Sequence, residues 1–145
     1  MIGYRVVRQR YADLSGEGAR RFGGRFNPPG IPVVYTSQSI ALAVLEVLVH
    51  LDKTEVPPDY VVMAIRFIGR SISRPRGPEL KGVGQMAPSV FKTSFCKRPV
   101  LRVPSVIVPR EYNYVLLPDA HRFAANIEWT EPLDVDSRLF AFTRR

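Results

Sequence analysis

Five runs of β-branched and aromatic residues constrain the fold of this chain more than any other feature. They are IGYRVV, IPVVYTS, YVVMAIRFI, VLRVPSVIV and YNYVLL, at residues 2–7, 31–37, 60–68, 100–108 and 112–117. Runs of this kind, bounded by glycine and proline, predict strands. Short strands are also expected at residues 126–129 and 139–142, and one strong helix is expected to follow Ser37 or Ser39 and to end near Leu51. The Gly-, Pro- and Arg-rich residues 69–84 predict a loop, and residues 89–97 predict a short helix. The pattern predicts an α+β fold with mixed or antiparallel sheets and few helices.

Length and composition indicate a compact single domain over residues 1–145. The chain is 46% hydrophobic, with a mean hydropathy of −0.05, which is typical of a globular protein. No run approaches the roughly 18 apolar residues of a membrane span, and Arg5, Arg8 and Arg10 interrupt any secretory leader. The single cysteine, Cys96, excludes an internal disulfide and predicts a buried thiol in a reducing compartment. A cytoplasmic protein without membrane contact is therefore expected.

The charge of the chain predicts an anionic partner. Its net charge is +8 and its isoelectric point is about 10.1, which suits a nucleic acid, a nucleotide or an acidic protein. Only four of the 21 basic residues are lysine and the other 17 are arginine. Because guanidinium groups bind phosphate and carboxylate in a bidentate geometry, the excess of arginine favours shaped contacts over a nonspecific basic surface.

A Gly-rich basic segment at residues 11–30 is too irregular to predict a helix or strand, so a long functional loop is expected there. Gly16 and Gly18 lack the third glycine of a dinucleotide-binding fingerprint, because Arg21 stands in its place, and no Gly-Lys-Ser/Thr follows. This excludes Rossmann and P-loop motifs. Glycines beside arginines still indicate a site where the backbone approaches a phosphate-bearing ligand.

Glu46 is a single acid in the middle of the predicted apolar helix. Of its neighbours three and four residues away, only His50 is polar. One interpretation is a Glu46–His50 pair at the helix edge, which would contribute a few tenths of a kcal/mol. The other is a functional carboxylate, because an unpaired buried charge costs several kcal/mol and needs a reason to be kept.

Ser105 is the one hydroxyl on an otherwise apolar strand face, which predicts that its side chain points inward. It either bonds to nearby backbone or contacts a ligand. By the same alternation Val33, Tyr35 and Ser37 share one face of their strand, with Val34 and Thr36 on the other. Two histidines and one cysteine at scattered positions predict no metal site.

Four sequence blocks, taken in order, resemble the RES-domain family of toxins from bacterial Res–Xre toxin–antitoxin pairs. The blocks are GGRFNPPGIPVVYTS, ALAVLEVLVHL, LRVPSVIVPREYNYVL and DVDSRL, and the resemblance covers nearly the whole chain, from Tyr4 to about Leu139. The arginine, glutamate and serine that give the family its name fall on Arg25, Glu46 and Ser105. The family commonly has tryptophan where this chain has Phe26, which keeps an aromatic ring.

The resemblance implies an ADP-ribosyltransferase-like fold and a toxin that cleaves NAD between nicotinamide and ribose, with NAD as substrate and no cofactor. ADP-ribose would pass to water, phosphate or a protein. Glu46 would then steady the oxocarbenium-like ribose, because a carboxylate stabilises positive charge as it develops. Arg25 would bind phosphate or a ribose hydroxyl, and Tyr35 would border the nicotinamide. Ser105 and Asn27 would orient the ligand, and Gly24, Phe26 and Ser37 would complete the binding site.

The resemblance also implies partners. They are an Xre-like DNA-binding antitoxin, NAD and any protein acceptor, assembled as a homodimer or a toxin–antitoxin hetero-oligomer. No direct nucleic-acid contact is expected. Two alternatives of other classes are a basic RNA-binding or RNA-cleaving toxin, which the arginines of residues 66–76 favour, and a noncatalytic interaction module. Against an RNA platform, the aromatic residues lie in apolar strands instead of among the basic residues.

Overall fold

The computed structural model describes residues 1–51, 58–68, 72–73 and 98–140. Within these ranges the chain forms two α-helices, α1 (Glu17–Phe22) and α2 (Ile40–Leu48), and 3-10 turns at Gln9–Tyr11 and Ser137–Phe140. It also forms the strands β1 (Ile2–Arg8), β2 (Val34–Ser37), β3 (Tyr60–Phe67), β4 (Ile72–Ser73), β5 (Val100–Pro104), β6 (Tyr112–Leu116) and β7 (Ala125–Pro132). The loop predicted at 69–84 (apart from β4), the helix predicted at 89–97, and Cys96 lie outside the described residues.

The described strands form one sheet in the order β4-β5-β6-β2-β1-β3-β7. Six of them, from β5 to β7, are antiparallel to their neighbours, and β4 joins β5 in parallel. Three register pairs place the site: Tyr4 with Ser37, Ser37 with Asn113, and Arg8 with Tyr60. The predicted α+β class with a mixed sheet and few helices is confirmed.

The two faces of the sheet bury different cores. One face carries a cluster that includes Met63, Ile65 and Leu116. The opposite face, here called the helix side, packs against α2 through Val6 and Val44 and continues into a second cluster with Tyr35 at its edge. Because side chains alternate along a strand, Val33 and Tyr35 lie on the helix side and Val34 on the other, as predicted. α2 begins as expected, since the Ser39 hydroxyl accepts from the Leu42 N–H at 3.1 Å.

The expectation that residues 11–30 form only loop is wrong, because α1 lies within them. Two glycines in the left-handed region, Gly16 at φ 68° and Gly23 at φ 69°, flank this short helix. Glu17 accepts hydrogen bonds from Arg20 and Arg21, one turn further along the helix, and these bonds stabilise α1.

Several strand bounds also differ from the prediction. β2 starts at Val34 instead of residue 31, since Pro32 has no N–H for the ladder. β5 ends at Pro104 instead of residue 108, and β7 is longer than the expected 126–129. The strand predicted at 139–142 is wrong for its first two residues, which belong to a 3-10 turn.

The helices described in residues 1–51 and 98–140 are short. α2, the longer of the two α-helices there, has nine residues. No helix among the described residues is long and apolar enough to cross a membrane.

Candidate functional site

A cavity of about 950 Å³ is lined by α2, the turn at residues 24–26 and strands β1, β2, β3 and β6. Its size is at the upper end of the range of small-molecule pockets. Most of the lining is apolar, and a few polar side chains converge on it: Arg8, Arg25, Ser37, Glu46, His50 and Asn113. An apolar cleft with a few placed polar groups is the usual form of a ligand site.

Glu46 projects from α2 into this cavity, and two neutral donors hold one of its oxygens. The Ser105 hydroxyl and the Asn113 side-chain amide both donate to Oε1 at 2.6 Å. Glu46 is half-buried and forms no ion pair with His50. The interpretation of Glu46 as a partner of His50 is therefore wrong, and the carboxylate keeps its charge uncompensated by any cation of the described residues.

The hydrogen bonds continue from Glu46 across the sheet. Asn113 accepts at Oδ1 from the buried Ser37 hydroxyl at 2.7 Å, while its amide nitrogen faces Glu46. Ser37 and Asn113 are register partners on β2 and β6. Asn113 was not identified by sequence reasoning, although it is the polar member of the same alternating face as Val115. Only the pairing of β2 with β6 shows its importance.

Ser105 is buried and points inward, as predicted. Its oxygen accepts from the backbone N–H groups of Ile107 at 3.0 Å and Val108 at 3.1 Å, and its proton goes to Glu46. The interpretation of Ser105 as a serine bonded to nearby backbone is therefore confirmed. Since those N–H groups turn toward Ser105, they also leave the strand ladder, which explains why β5 ends early. Ser105 acts on the site by holding Glu46.

A tight turn presents Arg25 at its tip. Gly24 and Asn27 exchange backbone hydrogen bonds, and the Asn27 side chain donates to the carbonyls of Ala19 at 2.9 Å and Ile31 at 3.1 Å. Asn27 is fully buried and does not line the cavity. Its side chain fastens the turn to α1 and to Ile31, in the segment that leads into β2, so it sets the position of Arg25.

Tyr35, on strand β2, holds this turn in position. Its hydroxyl donates to the Asn27 side-chain oxygen at 2.6 Å and accepts from the Phe26 N–H at 3.1 Å, while its ring lines the cavity. Burial raises the pKa of Tyr35 to about 12, so the phenol stays protonated at neutral pH. A Cβ on Gly24 would lie 2.6 Å from the Tyr35 hydroxyl oxygen. Glycine is therefore required at position 24 for this close approach.

Arg25 is exposed and lines the cavity, and it has no ion pair with any described acid. Its guanidinium carbon lies 5.5 Å from the centre of the Phe26 ring. Phe26 is 7% exposed and packs with Val33 and Val103, so its ring is largely part of the core. Arg25 is thus free to bind an anion in the cavity, opposite in charge to Glu46.

The described residues hold no group of three or more His, Cys, Asp or Glu side chains that could bind a metal ion. The polar groups that line the cavity are the Glu46 carboxylate, the unpaired Arg25, Arg8, His50 and neutral hydroxyl and amide groups. Such a set can bind a phosphate and stabilise a cationic sugar.

Comparisons with known proteins identify the family of this chain. A sequence model of the RES domain matches residues 2–137. The chain is 35% identical over 158 residues to Toxin Res of Photorhabdus laumondii subsp. laumondii, covering 96% of this chain and 97% of that protein. It is 36% identical over 129 residues to the Prs ADP-ribosylating toxin of Sphingobium sp., covering 80% and 78%. The chain belongs to the RES domain family.

A solved structure shares the fold. The MbcT–MbcA toxin–antitoxin complex of M. tuberculosis matches with a TM-score of 0.68 and 20% identity, over 97% of this chain and 86% of that one. MbcT, which is named an NAD(+) phosphorylase, is also 49% identical to this chain over 45 residues, 30% of this chain and 24% of MbcT. The likeness in structure confirms the predicted fold.

Proposed function

We propose that this protein is a toxin that cleaves NAD at the bond between nicotinamide and ribose. The observation that carries the proposal is the Glu46 carboxylate, which lines a cavity of about 950 Å³ and is held by neutral donors. Membership of the RES family and the names of its relatives, an ADP-ribosylating toxin and an NAD(+) phosphorylase, support the same reaction.

In this reaction Glu46 stabilises the positive charge that develops on the ribose. The C1′–N bond breaks, its electron pair leaves with neutral nicotinamide, and the sugar becomes oxocarbenium-like. Oε1 is occupied by Ser105 and Asn113, and no group among the described residues donates to Oε2. Oε2 would therefore accept a hydrogen bond from a ribose hydroxyl, a contact that strengthens as the sugar becomes cationic.

The remaining side chains would bind and orient the substrate. Arg25 would meet a phosphate with the paired donors of its guanidinium. The Tyr35 ring, which borders the same cavity, would lie beside the nicotinamide. Gly24, Phe26 and Asn27 would hold the turn in place, and Ser37 would contact the ligand and orient Asn113. ADP-ribose then passes to water, phosphate or a protein.

The direct test is NAD turnover by the purified protein. We expect NAD to be lost with release of one nicotinamide for each NAD, and expression without a partner to arrest growth as cellular NAD falls. Full-length protein that accumulates without arrest, with cellular NAD unchanged, would contradict the proposal. The RNA alternative is favoured in the sequence by the arginines of residues 66–76. Among the residues of this range that the structure describes, Arg66 is the only arginine, and it is already paired with Glu128.

We further propose that a small Xre-like DNA-binding antitoxin covers this site. A protein of net charge +8 with an uncompensated Arg25 attracts an acidic segment or a C-terminal carboxylate. The structural relative MbcT was solved in complex with the antitoxin MbcA. Copurification with the antitoxin is expected, with binding that weakens as salt increases. A complex that is insensitive to salt would contradict the electrostatic part of this proposal.

A further inference from the structure

The cavity extends well beyond Glu46, to the ends of β1 and β3. Arg8 and Tyr60 line it there and are register partners on these two strands. Arg8 shares the helix side of β1 with Tyr4 and Val6, because side chains alternate along a strand. Tyr4 pairs with Ser37, which is linked to Glu46 through Asn113. Arg8 lies four residues further along β1 than Tyr4, or about 13 Å along the strand.

Arg8 and Tyr60 form a cationic and aromatic pair. The Arg8 guanidinium carbon lies 5.6 Å from the centre of the Tyr60 ring. Its ion pair with Asp59 is long, at 3.5 Å, and both side chains are more than 40% exposed. Such a pair contributes little and leaves most of the guanidinium donors available. Arg8 can therefore turn to a stronger anion without a large loss.

We propose that Arg8 and Tyr60 bind the adenosine-monophosphate half of the substrate. The inference rests on the proposed function, because it follows from where the rest of NAD must lie. When the reacting ribose is at Glu46, the second phosphate and the adenosine extend along the cavity toward the end that Arg8 and Tyr60 line. A second arginine supplies bidentate donors to that phosphate, and an aromatic ring beside it supplies a stacking surface for the base. Arg8 and Tyr60 are binding residues that leave the chemical step to Glu46.

The test compares two substrates that share the bond to be cleaved. NMN contains the nicotinamide–ribose bond and one phosphate, and it lacks the adenosine half of NAD. Arg8→Gln should lower kcat/KM for NAD about tenfold, mainly through a higher KM, and should change kcat/KM for NMN less than about twofold. Tyr60→Leu should act in the same direction, and Tyr60→Phe should not, because it keeps the ring.

Arg66→Gln is the matched control. Arg66 is also a strand arginine in an exposed ion pair, with Glu128, and it does not line the cavity. The Arg66→Gln substitution therefore removes one positive charge from the same protein without changing the proposed site. Both kinetic constants should stay near the parental values with NAD and with NMN.

Binding of ADP, measured by calorimetry on the full chain, gives a readout that needs no turnover. We expect ADP to bind the parent and Arg66→Gln, and to bind Arg8→Gln about tenfold more weakly. Equal ADP binding by all three proteins, or equal loss of NAD and NMN turnover in Arg8→Gln, would overturn the inference. A parent that binds ADP but cleaves neither nucleotide would contradict the proposed reaction instead. If the parent cleaves NAD but not NMN, the comparison of ADP binding between the parent and Arg8→Gln tests the inference by itself.

Discussion

Glu17 on α1 and Glu46 on α2 are carboxylates in opposite surroundings. Glu17 is partly exposed and accepts hydrogen bonds from Arg20 and Arg21, which lower its pKa to about 2. Glu46 lines the cavity and accepts from Ser105 and Asn113, neither of which carries a charge. The first carboxylate is neutralised by cations, and the second is oriented without being neutralised.

This difference matters for catalysis because a salt bridge would weaken the effect of Glu46 on a cationic sugar. A cation beside a carboxylate cancels much of the field that a developing oxocarbenium would experience. Neutral donors fix the position of the group and leave its charge available. Glu17 lies outside the cavity and has no cationic sugar to stabilise. It instead stabilises α1 through ion pairs with the arginines at i+3 and i+4.

The largest expected effect comes from removing the charge of Glu46. In Glu46→Gln the amide oxygen can still accept from Ser105 and Asn113, so the fold is retained. Turnover of NAD should fall about 10²- to 10³-fold, because one electrostatic contact to the transition state is lost. The melting temperature should be equal to or higher than that of the parent, since an uncompensated carboxylate is gone. Near-parental turnover would show that Glu46 does not act on the ribose.

Removing the Asn113 amide tests whether a neutral donor holds Glu46 in place. Asn113→Ala should lower kcat about 10- to 100-fold with a smaller change in KM, the size expected for a hydrogen bond to a charged group. Asn113→Asp should be worse, because it places a second carboxylate beside Glu46. Asn126→Ala is the control, since Asn126 donates to Glu128 on the exposed strand β7. If the Asn113 and Asn126 variants turn over NAD equally well, Asn113 has no positioning role.

Tyr35 extends the comparison to alkaline pH. Its pKa in the folded protein is about 12, above the usual value near 10, so its contribution to stability is complete below pH 10 and is lost as the pH rises toward 12. The free energy of unfolding should fall by about 1 kcal/mol between pH 9 and pH 11 on account of this group. Tyr35→Phe should lack that part of the decline. Denaturant unfolding at pH 9 and pH 11 measures this fall in the free energy of unfolding. An equal fall in the parent and in Tyr35→Phe would contradict the prediction.

The smallest effect is expected at Glu17. Glu17→Gln removes an exposed carboxylate that lies outside the cavity, so kcat and KM for NAD should stay at the parental values. The melting temperature should change little, because surface ion pairs contribute little. A large loss of turnover would mean that α1 sets the position of Arg25 through its charges.

The sequence predicted the parts of the fold that local patterns control. β1 and β3 match their β-branched runs to within one residue, and Ser39 caps α2 as expected. α1 was missed because three glycines in or beside its six residues lower helix propensity, while its stability comes from Glu17 and from Asn27.

The site was predicted where one residue type is chemically unusual in its surroundings. Glu46 among apolar residues and Ser105 on an apolar strand face both drew attention for this reason. Asn113 did not, because an asparagine between two tyrosines in a strand is ordinary until β6 is paired with β2. Asn27 was expected to orient the ligand, but it does not line the cavity, and its side chain bonds to backbone and to Tyr35. Long-range pairing, which local patterns do not encode, decides both cases.

The direction of the hydrogen bonds from Ser37 to Glu46 restricts what a ligand can offer. An ionised carboxylate only accepts, so Asn113 must turn its amide nitrogen toward Glu46 and its oxygen toward Ser37. The single proton of Ser37 is therefore already committed to Asn113. A ligand atom that meets the Ser37 oxygen must bring its own proton, as a ribose hydroxyl does and a carbonyl or phosphate oxygen does not.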